Sequence, residues 1–204
     1  MDDTFLTISS FATGLYKEKG SKFISLLFPI KDEEEAKEII SKTKKQYFDA
    51  THHCYAYIIG QNKEVFRMND DGEPSFSAGK PIYGQLISKK LTNVLLIVVR
   101  YFGGIKLGVG GLTSAYKMAS CDVIDKATII EKTLDCIYSI NFQYENMNDV
   151  MKVLKEFDVK QMNHNFDNEN CYLEFRIRKK LSEKIISKLE KIEMIKIQFL
   201  FIVC

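Results

Sequence analysis

The stretch that most restricts this chain is Val94-Leu95-Leu96-Ile97-Val98-Val99, which runs directly into Arg100-Tyr101-Phe102-Gly103-Gly104-Ile105-Lys106-Leu107-Gly108-Val109-Gly110-Gly111-Leu112. A run of apolar residues rich in Val and Ile suits a strand buried on both faces, and such a strand sits centrally in a sheet that helices cover. Five of the chain's 11 glycines then fall between residues 103 and 111. Beyond them Leu112, Ala115, Met118, Ala119, Val123 and Ile124 recur at helical spacing. The pattern predicts a strand over 93–100, a glycine-rich connection, and a helix over 111–127. Glycines in such a connection permit positive φ and let a ligand approach the backbone. The first N–H groups of the helix that follows have no intrahelical partners and attract anions.

Elements on either side follow from similar signals. Thr4–Tyr16 and Phe23–Ile30 read as two strands meeting at a Lys19-Gly20-Ser21 turn. Asp32 with Glu33, Glu34 and Glu35, then Lys42, Lys44 and Lys45, places carboxylates and cations as a helix dipole prefers, over 32–46. Cys54–Ile59 and Glu64–Met68 bracket a second hairpin turn at Gly60–Lys63, and Pro81–Lys89 reads as a short helix. From residue 128 the pattern becomes strand (133–142), helix (146–157), two strands (159–165 and 171–178) joined at Asp167–Asn170, helix (181–192) and strand (194–203). That order is the β-α-β-β-α-β split unit of ferredoxin-like folds. The expected class is therefore α+β with two domains, residues 1–128 and 130–204, joined by a short link near 127–132.

At 204 residues the chain has room for one large or two small domains, and 46% hydrophobic with 27% charged residues suits a packed core. A net charge of +2 gives no global field, so an anion site must be local. The five cysteines, Cys54, Cys121, Cys136, Cys171 and Cys204, are scattered and lack a C-x-x-C pair, which argues against a disulfide framework or a zinc ribbon and fits a reducing cytoplasm. The opening Met-Asp-Asp-Thr is acidic where a signal peptide is basic, and no apolar run spans a membrane. The expectation is a soluble cytoplasmic protein with no membrane partner.

Candidate chemistry centres on three stretches. The first is the glycine-rich connection, where Arg100 and Lys106 bracket the backbone of Gly103, Gly104, Gly108, Gly110 and Gly111, and Tyr101 offers a ring for stacking. It is neither a P-loop nor a dinucleotide fingerprint, and glycines that only let helix and sheet pack closely would look the same. The second is Asp70-Asp71-Gly72-Glu73-Pro74-Ser75 with Lys80 just beyond. Its carboxylates suit water-mediated magnesium or an amine, yet the spacing matches no calcium loop and equally fits a solvated turn. The third is His52-His53-Cys54, where His52 is a candidate polar contact near the glycines. A Cys54 nucleophile would need an orienting group and an oxyanion hole that the sequence does not supply. The expected site gathers Arg100, Lys106, Lys80 and His52 around a phosphate-like anion, with Asp70, Asp71 and Glu73 alongside. No motif calls for a cofactor or resident metal, and no catalytic set emerges.

Several motifs in order, Lys19-Gly20-Ser21-Lys22-Phe23, His53-Cys54-Tyr55-Ala56-Tyr57, Asp70–Ser75 with Ala78-Gly79-Lys80-Pro81, and Arg100 through Gly111 with Ala115-Tyr116, closely resemble the IMPACT family in its bacterial, YigZ-type form. The resemblance implies an N-terminal ribosomal-protein-type α/β sandwich, as in domain IV of elongation factor G, and a second domain like that factor's last. It implies a translation-associated regulatory role, with RNA or the ribosome as partner. In eukaryotic relatives it implies competition for the activator of an initiation-factor kinase, through a further N-terminal domain that these motifs do not include. The chain has Phe76-Ser77 where the family usually has Gly-Thr, and Ser114 where an Arg is common, which removes one anion contact. The family brings no catalytic set. A metal-assisted enzyme acting on a phosphorylated small molecule and a pure protein-interaction module are the competing readings.

Overall fold

The structure, a computed structural model, describes residues 3–166 and 170–203. Most of the turn expected at Asp167–Asn170 and the last cysteine, Cys204, lie outside the described residues, as do Met1 and Asp2. The chain forms two compact units, one of residues Phe5–Glu131 and one of Lys132–Cys204 together with the N-terminal residues through Thr4.

In the first unit, β2 (Ala12–Glu18), β3 (Ser21–Pro29), β6 (Val94–Tyr101), β4 (His52–Ile59) and β5 (Val65–Asn69) make a five-stranded sheet in the order β2-β3-β6-β4-β5. Every pairing in it is antiparallel. The apolar run lands on the central strand, and Val94–Val99 are all fully buried. Burying side chains of this size contributes about 1.5–3 kcal/mol each. Register sorts the two faces. Phe23, Leu27, Leu96, Val98, Cys54 and Ala56 pack under α2 (Gly79–Ser88) and α3 (Gly108–Lys126), whereas Leu26, Leu95, Ile97, Val99, Tyr55 and Tyr57 pack under α1 (Glu33–Gln46). The N-terminus of α1 is held by Asp32, which accepts from the Glu35 N–H at 2.8 Å, while Glu35 accepts from the Lys31 N–H at 2.8 Å.

Several expectations shift. The strand expected over Thr4–Tyr16 breaks in two. β1 (Thr4–Ile8) leaves the sheet and ladders with β7 (Ile129–Thr133), a strand in what the sequence suggests is a link. The Lys19–Gly20 turn does form, with both residues at positive φ (46° and 80°), the two-residue turn whose twist matches the flanking strands. The long helix begins at Gly108 instead of 111, so Gly108, Gly110 and Gly111 form its first turn and do not precede it. Their weak helix propensity hides the start from a sequence reading.

The second unit runs β8 (Asp135–Gln143), α4 (Met147–Glu156), β9 (Lys160–Phe166), β10 (Asn170–Arg178), α5 (Lys179–Leu189), β11 (Lys196–Val203). Its antiparallel sheet has the order β11-β8-β10-β9. Val150 and Leu154 of α4 and Ile185 and Leu189 of α5 share one core with Ile140, Leu173 and Phe175, so both helices cover the same face. Asp3 is tied into this unit. It accepts from Arg178 Nε and Nη2 at 2.8 and 2.9 Å and from the Lys180 N–H at 3.1 Å, and the Arg178 bonds hold its carboxyl below the usual range. Among the described residues no helix is long and apolar enough to cross a membrane.

Candidate functional site

β4, β6, α3 and the 70–79 segment converge on one carboxylate. Glu73 is 8% exposed, and its Oε1 accepts from Arg100 Nη1 at 2.6 Å and from the Tyr116 hydroxyl at 2.8 Å. Arg100 is the last residue of β6 on the α2/α3 face and lies opposite Phe23 in register. Its guanidinium sits over the rings of Phe23 and Phe102 at 5.5 and 5.7 Å. Nη2 reaches Ser21 Oγ at 3.5 Å, and Nε is buried with no partner. A charge this deep persists only when paired, and Glu73 supplies the pair. Here the structure departs from the expectation that Arg100 grips an external anion with its planar fork. Its charge is committed to Glu73.

His52 joins the same cluster from β4. Its Nδ1–H donates to the Asp71 carbonyl at 2.8 Å, which leaves Nε2 facing Glu73 Oε2 at 3.9 Å. Cys54, two residues on and on the same face, is fully buried, with its thiol 3.0 Å from the Asp70 carbonyl and 3.2 Å from the Tyr116 hydroxyl. Burial pushes the Cys54 thiol and the Tyr116 phenol up, so both stay neutral and Cys54 offers no thiolate.

The three carboxylates do not act together. Asp70 accepts from the Ala78 and Gly79 N–H groups at 3.0 and 2.8 Å and from the Phe76 N–H at 2.9 Å, satisfying the start of α2. Asp71 accepts from Lys44 at 2.6 Å and the His53 N–H at 2.7 Å. Burial would raise its pKa, but the Lys44 and His53 contacts outweigh that and hold it below the usual carboxylate range. Among the described residues no group of three His, Cys, Asp or Glu is placed to hold a metal ion.

The glycines divide by role. A Cβ on Gly103 would lie 1.8 Å from the Gly20 carbonyl carbon, so two backbones cross there in contact, and the Gly103 N–H donates to Ser21 Oγ at 3.2 Å. Gly104 and Gly108 have positive φ, and a Cβ on either, or on Gly110, would meet nothing within 4 Å. The first turn of α3 has no side-chain cap and lies open, with Lys106 exposed just before it. Phe102, Ile105 and Val109 project beside it, 48%, 57% and 57% exposed. Gly111 packs against Leu107. Two expected members stand apart. The Tyr101 hydroxyl donates to Asp49 at 2.8 Å, with Lys22 over its ring at 5.9 Å, and Lys80 lies over Phe76 at 5.6 Å.

The sequence reading sets His52, Glu73 and Arg100 around an external anion, whereas in the structure Glu73 pairs with Arg100 and faces His52. That reading assigns no site role to Ser21, which accepts from Arg100, or to the hydroxyl of Tyr116, which donates to Glu73.

An antiparallel sheet with helices on both faces, followed by a second β-α-β-β-α-β unit, defines a two-domain α+β protein. The Impact N-terminal domain model matches residues 19–124, and the chain belongs to the IMPACT family. The IMPACT family member YvyE of Bacillus subtilis is 38% identical over 162 residues, 78% of this chain and 73% of that protein. The family member YigZ of Escherichia coli is 33% identical over 150 residues, 72% of this chain and 74% of its own. A crystal structure of a hypothetical protein superposes with a TM-score of 0.73 at 26% identity, covering 98% of this chain and 99% of that one.

Proposed function

We propose that this chain is a translation-associated regulatory protein that binds RNA, the ribosome or a phosphate-bearing ligand at the glycine turn of the first domain. On this reading residues 1–128 are the ribosomal-protein-type domain, residues 130–204 a ferredoxin-like accessory domain, and the working compartment the cytoplasm. The observation that carries it is the open first turn of α3. Its N–H groups have no side-chain cap, three glycines leave the approach clear, and Lys106 adds a cation. Glu73, paired with Arg100, also accepts from the Tyr116 hydroxyl further along the same helix. A protein-interaction module is the second reading, favoured by the exposed Phe102, Ile105 and Val109.

Co-sedimentation with ribosomes and salt-dependent RNA binding test the proposal. Lys106→Ala is expected to weaken binding and flatten its salt dependence at unchanged melting temperature. Lys188→Ala, which removes an exposed pair with Glu156 on the second unit, leaves binding unchanged. RNA binding indifferent to Lys106 sinks the proposal, and loss of a protein contact on Phe102→Ser, with RNA unaffected, installs the second reading.

A further inference from the structure

On the α1 side of the first unit lies a cleft of about 540 Å³ that the glycine turn does not touch. Its origin is the edge strand. Register places Arg67 and Asn69 of β5 opposite Tyr57 and Tyr55, all on the α1 face, but α1 packs over the central strands and leaves the β5 edge uncovered. Lys37, Lys44 and Lys45 of α1 form one wall, Arg67 the other, and no carboxylate lines the cleft. Lys44 is held by Asp71 at 2.6 Å. Among the described residues Lys37, Lys45 and Arg67 form no ion pair, while Glu33 and Glu38 of the same helix are engaged by Tyr57 and Lys42.

We infer that this cleft is a second anion site, which takes the sugar–phosphate backbone of a single nucleic-acid strand. A cleft lined by cations alone focuses the field and concentrates anions, and counterion release from a polyanion supplies the driving force. Lys37 and Lys45, the two lysines of the cleft without an ion pair among the described residues, are eight residues apart on one helix, hence about 12 Å along its axis, a row longer than one phosphate group is wide. The remaining polar groups, Ser41 and Asn69, hydrogen-bond without charge. Tyr55 in the floor is 8% exposed and stacks on Tyr57, so no free ring faces a base. Cations and neutral hydrogen-bonding groups without an exposed ring recognise backbone and not sequence. The inference stands apart from the glycine-turn proposal, because different residues on a different part of the domain carry it.

The test is fluorescence anisotropy with a short labelled oligouridylate and its deoxy counterpart, oligothymidylate, titrated against the full chain over a range of salt. Lys45 and Arg67 are exposed, so Lys45→Ala, Arg67→Ala and the double variant are expected to keep the parent's melting temperature. Each single variant is expected to weaken oligouridylate binding several-fold and to lower the slope of log affinity on log salt by about 0.7, and the double variant by about 1.4. Equal loss for oligothymidylate shows that backbone alone is read, and loss confined to oligouridylate assigns the cleft to RNA. The inference is overturned if the double variant binds like the parent, or if pyrophosphate binds the parent while neither oligonucleotide does. Sensitivity to Lys106→Ala with indifference to the cleft variants would leave the glycine-turn proposal standing without this one. The reverse pattern would do the opposite.

Discussion

Arg100 and Glu73, 27 residues apart, meet at 2.6 Å with side chains 6% and 3% exposed. Removing either partner leaves a buried charge without compensation, at a cost of about 3–5 kcal/mol. Glu73→Leu and Arg100→Met are each expected to lose stability on that scale in urea unfolding. The double variant Glu73→Leu/Arg100→Met is expected to lose much less than the two single losses added together. Strict additivity in that cycle would show that the two groups do not depend on each other.

The glycines give a second prediction because their surroundings differ. Gly103→Ala drives a methyl into the Gly20 backbone, which cannot retreat, so the variant is expected to lose its cooperative unfolding transition. Gly110→Ala enters open space in the first turn of α3, where Ala is the better helix former, so stability is expected to hold or rise by about 0.5–1 kcal/mol. Thermal melts of the two variants check both. Equal loss in both would mean that the open turn is packed in a way the geometry does not show.

Much of the first sheet was legible because its central strand is apolar without interruption and its turns carry glycine, signals that act locally. β7 was not legible. Its residues Ile-Ile-Glu-Lys-Thr look like a link, and only the arrival of β1 from the far end of the chain makes them a strand. The site shows the same division. Composition marks the residues near Arg100, Glu73 and His52, but whether Arg100 faces solvent or a carboxylate depends on how the 70–79 segment folds over β6, a long-range fact. The basic cleft was hidden for the opposite reason. Lys44 and Lys45 fit the helix dipole on their own, and nothing local in the sequence ties them to Arg67, more than 20 positions on.

The third prediction concerns Cys54. Its thiol is fully buried and pushed up by burial, whereas Cys121 is partly exposed and hydrogen-bonded to Gln85 at 3.1 Å. Thiolate is the reacting form, so iodoacetamide at mildly alkaline pH is expected to label Cys121 well before Cys54 in the native chain. Peptide mapping by mass spectrometry reads the order. Cys54→Ser keeps a donor at that position, and the variant is expected to fold and to retain RNA or ribosome binding. Early labelling of Cys54, or loss of function with the fold intact, would restore it as a reactive group.

The last prediction separates the charge of Asp71 from its shape. Asp71 sits at φ 44°, a left-handed conformation that Asn tolerates as well, and Asn can still accept from the His53 N–H. Asp71→Asn therefore removes the interaction with Lys44 while sparing the turn. Because the carboxyl pKa is lowered in the folded chain from an ordinary value of 3.8, the unfolded state binds the proton more readily. The resulting stability is present above that value and is lost as pH falls through the folded pKa. The parent is thus expected to be the more stable of the two at neutral pH, with the difference shrinking once pH falls below 3.8 and vanishing only below the lowered pKa of the folded chain. Added salt is expected to narrow the neutral-pH gap as well, since Lys44 is half exposed and the pair is screened. Urea unfolding of both proteins across that pH range measures it. A gap that persists unchanged into strong acid would mean that Asp71 contributes through its shape and hydrogen bonds, with the Lys44 contact adding nothing.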